Sequence, residues 1–412
     1  MLLRFKKPVA SAREAFIVLS IILFLFSAAI SLTVYIDSSY LKDAILHTPS
    51  LLTIKLFKNP DDIIGVLYTL ASLVTLLAFT HAPNILRKFG NYRFTLALMS
   101  LNAATLLGLG LGFSAWLIIP LFIFQAVIIS ILYFNFDIFL ERYSSDAKTG
   151  MIRGLFMTIT SIAWLVPPFI SGVIIDRFGG YPMVYLIALF VILPALPLLV
   201  RHFSEFKDLE YDDAPFLVPK SVGGKNPNIP RILWASFFLQ FFYAWMVIYA
   251  PLYFIEHLHI SHQNFGLMMT IALFAFVIFP SPEGWLADKY IGEKELLVAG
   301  FILMGLASFL IPLLAFSPLG ILGWAILLFL GRVGASTVDT MTQTYFFKQI
   351  DGHSASLVGY FNRSHAIAFV IAPLVATVLL QTGLIELSSL FTILGILMFF
   401  AIYFPLRLKD TK

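Results

Sequence analysis

The fold of this chain is set around residues 284–294, which read GWLADKYIGEK, a charged turn bracketed by glycines between two long apolar runs. Looser versions of this turn recur at 172–179, GVIIDRFG, and at 83–90, PNILRKFG. A bilayer core about 30 Å thick is crossed by about 20 apolar residues in a helix, and the runs beside these turns reach that length. The repetition predicts an all-α, polytopic membrane fold.

The composition supports a chain that lies in lipid. Of its residues, 59% are hydrophobic and only 12% are charged, against about 25% charged in soluble domains. The apolar runs are continuous rather than alternating with a period of two, which favours helices over the strands of an outer-membrane barrel. Cysteine is absent, which excludes disulfides, thiolate catalysis and cysteine-ligated metal sites.

The apolar runs predict twelve spans, at 14–36, 62–82, 94–112, 115–140, 151–173, 181–200, 231–255, 264–286, 296–315, 318–345, 355–380 and 384–405. Two long connectors, 37–61 and 201–230, interrupt them. The second connector divides the chain into a six-helix bundle at 1–200, a cytoplasmic linker at 201–230 and a second six-helix bundle at 231–412.

Lysine and arginine predict the orientation, because cytoplasmic loops are enriched in them. With the N-terminus inside, 21 of the 27 fall on the inner side. The other six are Lys42, Lys55, Lys58 and Arg177 outside, and Arg332 and Arg363 within spans. We expect a multi-pass protein of the plasma (cytoplasmic) membrane, in bacteria the cell inner membrane, with both termini cytoplasmic. The net charge of +4 follows from this topology and does not indicate nucleic acid.

An internal repeat relates the fifth span to the eleventh. A shift of 205 positions aligns the two without a gap, and the matched residues are Gly154, Phe156, Ile162, Ala163 and Pro168 with Gly359, Phe361, Ile367, Ala368 and Pro373. The same glycine-to-proline spacing at equivalent spans indicates a duplicated six-helix unit.

With this layout the sequence resembles the major facilitator superfamily over essentially its whole length. The turn after the eighth span is similar to that family's signature of glycine, acid, base and glycine, through Gly284, Asp288, Lys289, Gly292 and Lys294. The end of the fifth span resembles the family's proline–glycine pattern, through Pro168, Gly172 and Gly179. The resemblance implies two bundles around a central cavity lined by helices 1, 4, 7 and 10, with alternating access to a midplane site.

The turn at 284–294 has two interpretations. Gly284 would permit close helix packing and Asp288 would accept hydrogen bonds at a helix end, while Lys289 and Lys294 face the cytoplasm, so that the turn acts as a conformational latch. The alternative is a solvated loop whose charges only obey the positive-inside rule, since surface pairs contribute about 0–1 kcal/mol. We favour the latch.

The first half departs from the signature, because Pro83 and Arg87 stand where the family has glycine and acid. Glu141 or Asp146 would then be the partner of Arg87, and Arg142 completes this candidate charge network.

Ionisable groups inside the spans are costly and usually functional. In the tenth span Arg332, Ser336, Asp339 and Gln343 are spaced so that they share one helix face. At 1.5 Å per residue, Asp339 and Arg363 both lie about 14 Å deep. We therefore predict an Asp339–Arg363 pair, with Arg332 as a substrate anchor. The alternative is a purely structural ion pair.

Two neighbours of Arg363 are further candidates. Asn362 is a polar group of the same span, and His365 could carry a coupling proton near neutral pH. A lone helical histidine can equally well only hydrogen-bond a neighbour.

Polar and aromatic groups could line the cavity, namely Gln125 in the fourth span and Gln240, Tyr243 and Trp245 in the seventh. Such residues also serve as core or lipid-facing groups. The run EHLHISH at 256–262 suggests a metal site, but it lacks a helical i, i+4 pair of histidines. We interpret it as a flexible exposed loop.

Several function classes lack a basis, because no G-x-x-x-x-G-K-[ST], HExxH or GxSxG motif occurs. We expect no enzyme activity, no cofactor and no bound metal. We predict a monomeric secondary transporter of a small solute, coupled to an ion gradient, with protons as the expected ion. Arg332 and Arg363 outnumber Asp339, which gives a weak preference for an anionic or zwitterionic substrate.

Two alternatives stay open. Efflux of hydrophobic or cationic compounds is suggested by the 42 phenylalanines. A non-transporting receptor or membrane-embedded enzyme is the alternative of another class.

Overall fold

The computed structural model describes residues 12–48, 60–143, 158–178, 180–206, 208, 226–317, 319–349, 355–383 and 385–409, and this part of the chain is helical without strands. The helices that correspond to the predicted spans are α1 Ala12–Thr33, α2 Pro60–Phe89, α3 Asn91–Gly110, α4 Ala115–Tyr143, α5 Thr158–Phe178, α6 Tyr181–Phe203, α7 Asn228–His257, α8 His262–Lys289, α9 Glu293–Leu314, α10 Ile321–Gln349, α11 Ala355–Gln381 and α12 Leu387–Leu406.

The length of the helices and the apolar side chains on their outer surface support the membrane fold. Within the described residues, eleven helices are long and apolar enough to cross a bilayer, and α11 adds the apolar stretch His365–Gln381. Large apolar side chains such as Leu77, Phe124 and Phe190 are more than half exposed, as expected for surfaces that lipid covers. The all-α, twelve-span prediction is confirmed.

The connector predicted at 37–61 is wrong in its first part. After a turn at 34–36 the chain forms the helix Asp37–Leu46, which we call the α1 extension. It buries Tyr40 and Ile45 while Lys42 stays partly exposed. A search for continuous hydropathy does not find such a helix, because only one stripe of a half-buried helix is apolar.

Proline divides several of the predicted spans. In α7 a π-helical turn, Leu252–His257, follows Pro251. In α8 the last segment begins at Pro280 and runs to Lys289, after separate segments His262–Leu273 and Ala275–Ile278. Proline has no N–H to donate to the preceding turn. The helices are therefore jointed at these points, and π-helical turns are frequent at functional sites.

Because consecutive helices alternate in direction, the bundle has two ends. We call the end where α1 begins and α12 ends the termini face, which also holds the α2–α3 and α8–α9 turns. The opposite end, the far face, holds the α1 extension and the α5–α6 and α7–α8 turns. The first half, α1–α6, meets the second half, α7–α12, through α2 against α11 and α5 against α8.

Two glycines bring the halves into close backbone contact. A Cβ on Gly266 of α8 would lie 2.2 Å from the carbonyl oxygen of Pro168 in α5. A Cβ on Gly65 of α2 would lie 3.2 Å from the carbonyl oxygen of Pro373 in α11. Pro168 and Pro373 are the prolines that the sequence repeat aligns. Each duplicated proline helix therefore receives a glycine of the opposite half, a close approach typical of small residues between membrane helices.

Candidate functional site

Charged side chains of both halves meet at the far face. Lys42 Nζ in the α1 extension lies 2.7 Å from Asp61 Oδ1 at the start of α2 and 2.8 Å from Glu256 Oε2 at the end of α7. His257 Nε2 lies 3.8 Å from Asp61 Oδ2. Asp61 belongs to the same half as Lys42, whereas Glu256 belongs to the other, so one ammonium group ties the two halves together.

The surroundings of Lys42 keep it charged. Burial lowers the pKa of its ammonium group, whereas the hydrogen bonds that it donates to Asp61 and Glu256 raise it, and the net pKa lies above the ordinary value. Lys42 is therefore charged throughout the physiological pH range.

A second contact between the halves joins α5 to the start of α8. His262 Nδ1 lies 3.0 Å from Asp176 Oδ1, and the N–H of Gln263 donates to Asp176 Oδ2 at 2.8 Å. The hydroxyl of Tyr181 lies 2.8 Å from His262 Nε2. A Cβ on Gly172 would lie 2.2 Å from the carbonyl oxygen of His262. We call this set of inter-half groups the far-face seam: Lys42, Asp61, Asp176, Glu256 and His262.

The run at 256–262 is the exposed loop that the sequence suggested only in its middle, where His257, His259 and Ser261 are exposed. Its first and last residues, Glu256 and His262, pair with the first half, and their side chains are only 26% and 19% exposed. Hydropathy could not show this, because the partners come from the other bundle. In the described part of the chain, no group of three or more potential ligands could hold a metal ion.

At the termini face, Lys348 pairs with two carboxylates of its own half. Lys348 Nζ at the end of α10 lies 2.9 Å from Asp288 Oδ1 and 2.5 Å from Glu293 Oε1. Partial burial lowers the pKa of Lys348, but hydrogen bonds to Glu293 and Asp288 raise it to a net value above the ordinary one. We call these three residues the termini-face cluster. It ties α8, α9 and α10 to one another.

The other residues predicted to form the latch have different surroundings. Gly284 has open space where a Cβ would stand, so the expectation that it permits close helix packing is wrong. Gly292 precedes α9 with φ 94°, a conformation that favours glycine. Lys289 Nζ lies 5.2 Å from the ring centre of Trp285. Lys294 stands in the first turn of α9 and is partly buried.

The matching turn of the first half is held by a carboxylate rather than by a lysine. Gly90 precedes α3 with φ 76°, as Gly292 precedes α9. The N–H of Asn91 donates to Asp208 Oδ1 at 2.6 Å. The two turns therefore share their backbone shape but not their charge.

The charge network predicted around Arg87 stays a prediction. Arg87 donates a hydrogen bond to Asn84 Oδ1 at 2.9 Å. The side chains of Glu141 and Arg142, and the whole of Asp146, lie outside the described residues.

Arg332 of α10 is a buried cation, 3% exposed. Its guanidinium carbon lies 5.8 Å from the ring centres of both Phe242 and Tyr243 in α7. Within the described chain, its Nε and one terminal nitrogen are buried without a hydrogen-bond partner, and so is the hydroxyl of Ser336. Aromatic rings attract a cation, but they do not satisfy the N–H donors of a guanidinium group. The site is chemically suited to bind an anionic group.

The remaining ionisable candidates are placed only in part. Asp339 Oδ1 accepts a hydrogen bond of 3.0 Å from Gln343 Nε2, which confirms that these two residues share a face of α10. The side chains of Asn362 and Arg363 lie outside the described residues, so the Asp339–Arg363 pair stays a prediction. His365 Nε2 lies 2.9 Å from Ser236 Oγ in α7, a contact that fits the structural interpretation of this histidine.

The four predicted cavity-lining residues have different surroundings. Trp245 is 1% exposed and donates its indole N–H to the carbonyl oxygen of Ala372 at 2.7 Å, so it fixes α7 to α11. Tyr243 lies beside Arg332. Gln125 is 4% exposed, and its Oε1 has no hydrogen-bond partner among the described residues. Gln240 is partly buried on α7.

Glu283 is a buried acid that the sequence analysis did not single out. It is 7% exposed, and its Oε1 lies 2.5 Å from Thr337 Oγ1 in α10. Its Oε2 is buried and has no hydrogen-bond partner in the described part of the chain. A signal was present, since Glu283 is an acid inside the predicted span 264–286.

Comparison with known families agrees with this architecture. The family model of the Major Facilitator Superfamily matches residues 232–412, which is the second half from α7 onward. A search of curated proteins finds no match to the chain. The first half has the same order of helices as the matched half. In each half, the helix with the duplicated proline, Pro168 or Pro373, packs against a glycine of the other half. The chain is a multi-pass membrane protein whose second half matches the major facilitator superfamily of transporters.

Proposed function

We propose that this protein is a secondary transporter that moves a small solute by alternating access, and that the structure is the conformer closed at the far face. The far-face seam carries the proposal, because Lys42 and Asp176 of the first half contact Glu256 and His262 of the second. Partly exposed ion pairs contribute only about 0–1 kcal/mol each. They can hold the far face shut and still break when the halves rock apart.

The orientation is part of the proposal. The termini face lies in the cytoplasm and the far face outside, which is supported by the excess of lysine and arginine in the segments of the termini face. Since the sequence has no P-loop motif, the driving force is an ion gradient, and we propose protons as the coupling ion. The unit that transports is a monomer in the plasma (cytoplasmic) membrane.

The substrate that we propose is an anion or a zwitterion, because Arg332 is a buried cation whose N–H donors are not all satisfied by the described residues. Burial of an unpaired charge costs several kcal/mol, and a carboxylate or phosphate group would offset that cost. The same charge would repel lipophilic cations. The cavity that Arg332 borders measures about 10 Å³, room for about one water molecule. A solute would therefore reach Arg332 only after the helices separate.

Paired cysteines test alternating access, since the chain has no cysteine of its own. Asp176→Cys with His262→Cys spans the far-face seam, and Asp288→Cys with Lys348→Cys is the matched pair within the second half. We expect cross-linking of the first pair to increase thiol labelling of Gln343→Cys from the termini face. The second pair should leave that labelling unchanged. Labelling that responds to neither pair would contradict alternating access and favour a non-transporting protein.

Ligand-induced thermal stabilisation tests the substrate class. Binding to the folded state adds about 2.7 kcal/mol at a hundredfold excess over Kd. Carboxylates or phosphates should stabilise the wild type but not Arg332→Met. Without ligand, the variant should be at least as stable as the wild type, because it no longer buries an unpaired charge. Stabilisation of both proteins by lipophilic cations would instead support the efflux alternative.

A further inference from the structure

Glu283 and Glu293 are both buried glutamates of the second half, 7% and 1% exposed, but their partners differ. Glu293 faces the ammonium group of Lys348 at 2.5 Å. Glu283 faces the hydroxyl of Thr337, also at 2.5 Å, and its second oxygen is buried without a partner among the described residues. One glutamate therefore has a compensating positive charge, and the other has a neutral group.

Thr337 has two acceptors close to its hydroxyl oxygen, which bears on the protonation of Glu283. Thr337 Oγ1 is 2.5 Å from Glu283 Oε1 and 2.9 Å from the carbonyl oxygen of Val333, one turn earlier in α10. A threonine hydroxyl has one hydrogen, and in helices it commonly donates it to the i−4 carbonyl. If that hydrogen is directed at Val333, the short contact to Glu283 needs a second one. A protonated Glu283 supplies it, by donating from Oε1 to Thr337 Oγ1.

Among the described residues, no cation forms an ion pair with Glu283. The last segment of α8 packs against α9 and α10. Besides Glu283, the charged residues of these three elements are Asp288, Lys289, Glu293, Lys294, Glu295, Arg332, Asp339 and Lys348. Of the cations, Lys348 is bound to two carboxylates and Lys289 stacks on Trp285. An ionised carboxylate buried without a cation is costly, so the neutral acid is the favoured form.

We propose that Glu283 is a proton-binding site of the transporter and that it holds its proton in the far-face-closed conformer. On release, the O–H bond of Oε1 breaks, the proton passes to water at the termini face and the carboxylate stays on Glu283. The end of α8 at Lys289 lies about 9 Å away at 1.5 Å per residue. Water can therefore reach the acid from that side when α8 and α10 part.

The position of Glu283 on α8 links its proton to the seam. The first segment of α8, His262–Leu273, docks on α5 through His262 and Gly266. The last segment, Pro280–Lys289, docks on α10 through Glu283. The proline joint between them lets the two segments move separately. This link between proton and seam rests on the proposed function, whereas the protonation itself does not.

Infrared difference spectroscopy of the purified full chain tests the protonation. We expect a protonated-carboxyl C=O band at neutral pH that disappears on alkaline titration. Glu283→Gln should remove it in a chain that also carries Asp37→Asn, because the pKa of Asp37, about 7, would otherwise leave a second such band. The matched control Glu293→Gln should retain the band, because Glu293 is paired with the ammonium group of Lys348. Glu283→Gln preserves shape and can donate from its amide to Thr337, so it should fold. A band that survives Glu283→Gln, or no band in the wild type, would overturn the proposal.

A second arm separates this proposal from the transport mechanism. Cross-linking of Asp176→Cys with His262→Cys is measured over the same pH range, with and without Glu283→Gln. We expect the far-face pair to cross-link less as pH rises in the otherwise native chain and to become insensitive to pH in the variant. A band that depends on Glu283 together with cross-linking that never changes would retain the proton site and refute its link to access. If no band depends on Glu283 but cross-linking still changes with pH, the proton site is refuted and the transport mechanism is not.

Discussion

Two sets of ion pairs, one at each end of the bundle, have similar distances but opposite connectivity. At the far-face seam, Lys42 of the first half reaches Glu256 of the second at 2.8 Å. At the termini-face cluster, Lys348 reaches Asp288 at 2.9 Å and Glu293 at 2.5 Å, all within the second half. The first set must break if the halves separate at the far face, whereas the second can survive any rigid movement of the halves.

This difference assigns distinct mechanical roles to the two sets. Contacts between rigid bodies are the ones that a rocking transition makes and breaks. Contacts within one body only keep its helices in register. Asp288 and Glu293 of the predicted latch hold α8, α9 and α10 together through Lys348 in this conformer. Among the described residues, the ion pairs that join the halves lie at the other face. Substitutions should separate the two roles.

The largest effect is expected from Gly172→Ala at the seam. Its Cβ would lie 2.2 Å from the backbone oxygen of His262, and overpacking of this kind costs about 1–3 kcal/mol. We expect lower thermal stability and loss of cross-linking between Lys42→Cys and Glu256→Cys. Gly284→Ala is the matched control in a helical segment with open space, where alanine is favoured over glycine by about 0.5–1 kcal/mol. Equal effects of both substitutions would show that close backbone contact does not determine the seam.

The next largest effect is expected from removing the charge of Lys42 at the seam or of Lys348 at the termini-face cluster. Lys42→Met leaves Asp61 and Glu256 without their common cation, and Lys348→Met does the same to Asp288 and Glu293. An unsatisfied buried polar group costs about 1–3 kcal/mol, so both variants should lose thermal stability. Only Lys42→Met should reduce cross-linking of Asp176→Cys with His262→Cys. Reduced cross-linking in both variants would mean that the termini-face cluster also controls the far face.

A pH effect is expected on the far-face side, at the start of the α1 extension. Burial raises the pKa of Asp37 from 3.8 to about 7, although a hydrogen bond from Tyr185 opposes the rise. A raised carboxyl pKa means that the folded state holds its proton more tightly than the unfolded state. This contribution to stability is full below pH 3.8 and is lost as pH rises through about 7.

We therefore expect the thermal stability of the wild type to decline over this range more than that of Asp37→Asn. Asp43→Asn, on the same helix and half exposed, is the control and should keep the decline. If the decline persists in Asp37→Asn, another group is responsible for it.

The smallest effect is expected from Lys289→Ala in the turn of the second half. Its contact with Trp285 is an exposed cation–π pair, worth about 0.5–1 kcal/mol. Thermal stability should change by no more than this, and cross-linking at the seam should not change. A large loss of either would show that Lys289 belongs to the latch rather than to the solvated surface.

Much of the fold was predictable from the sequence, whereas little of the site was. The spans follow from hydropathy, and the repeat that aligns Pro168 with Pro373 appears in the structure as two equivalent contacts between the halves. The α1 extension was missed because its apolar residues form only a stripe. Arg332 and the shared face of Asp339 and Gln343 were found from helical spacing. Glu283 was missed because its significance depends on Thr337 of another helix.

The sequence by itself determined that this chain crosses the membrane many times as two related bundles, because the cost of burying backbone and charge in lipid is local and acts on each span. Only the tertiary structure decided which charges meet. Lys42 and Glu256 lie far apart in the chain, and so do Asp176 and His262. Their pairing depends on how one bundle docks on the other, and no periodicity within a span records that geometry.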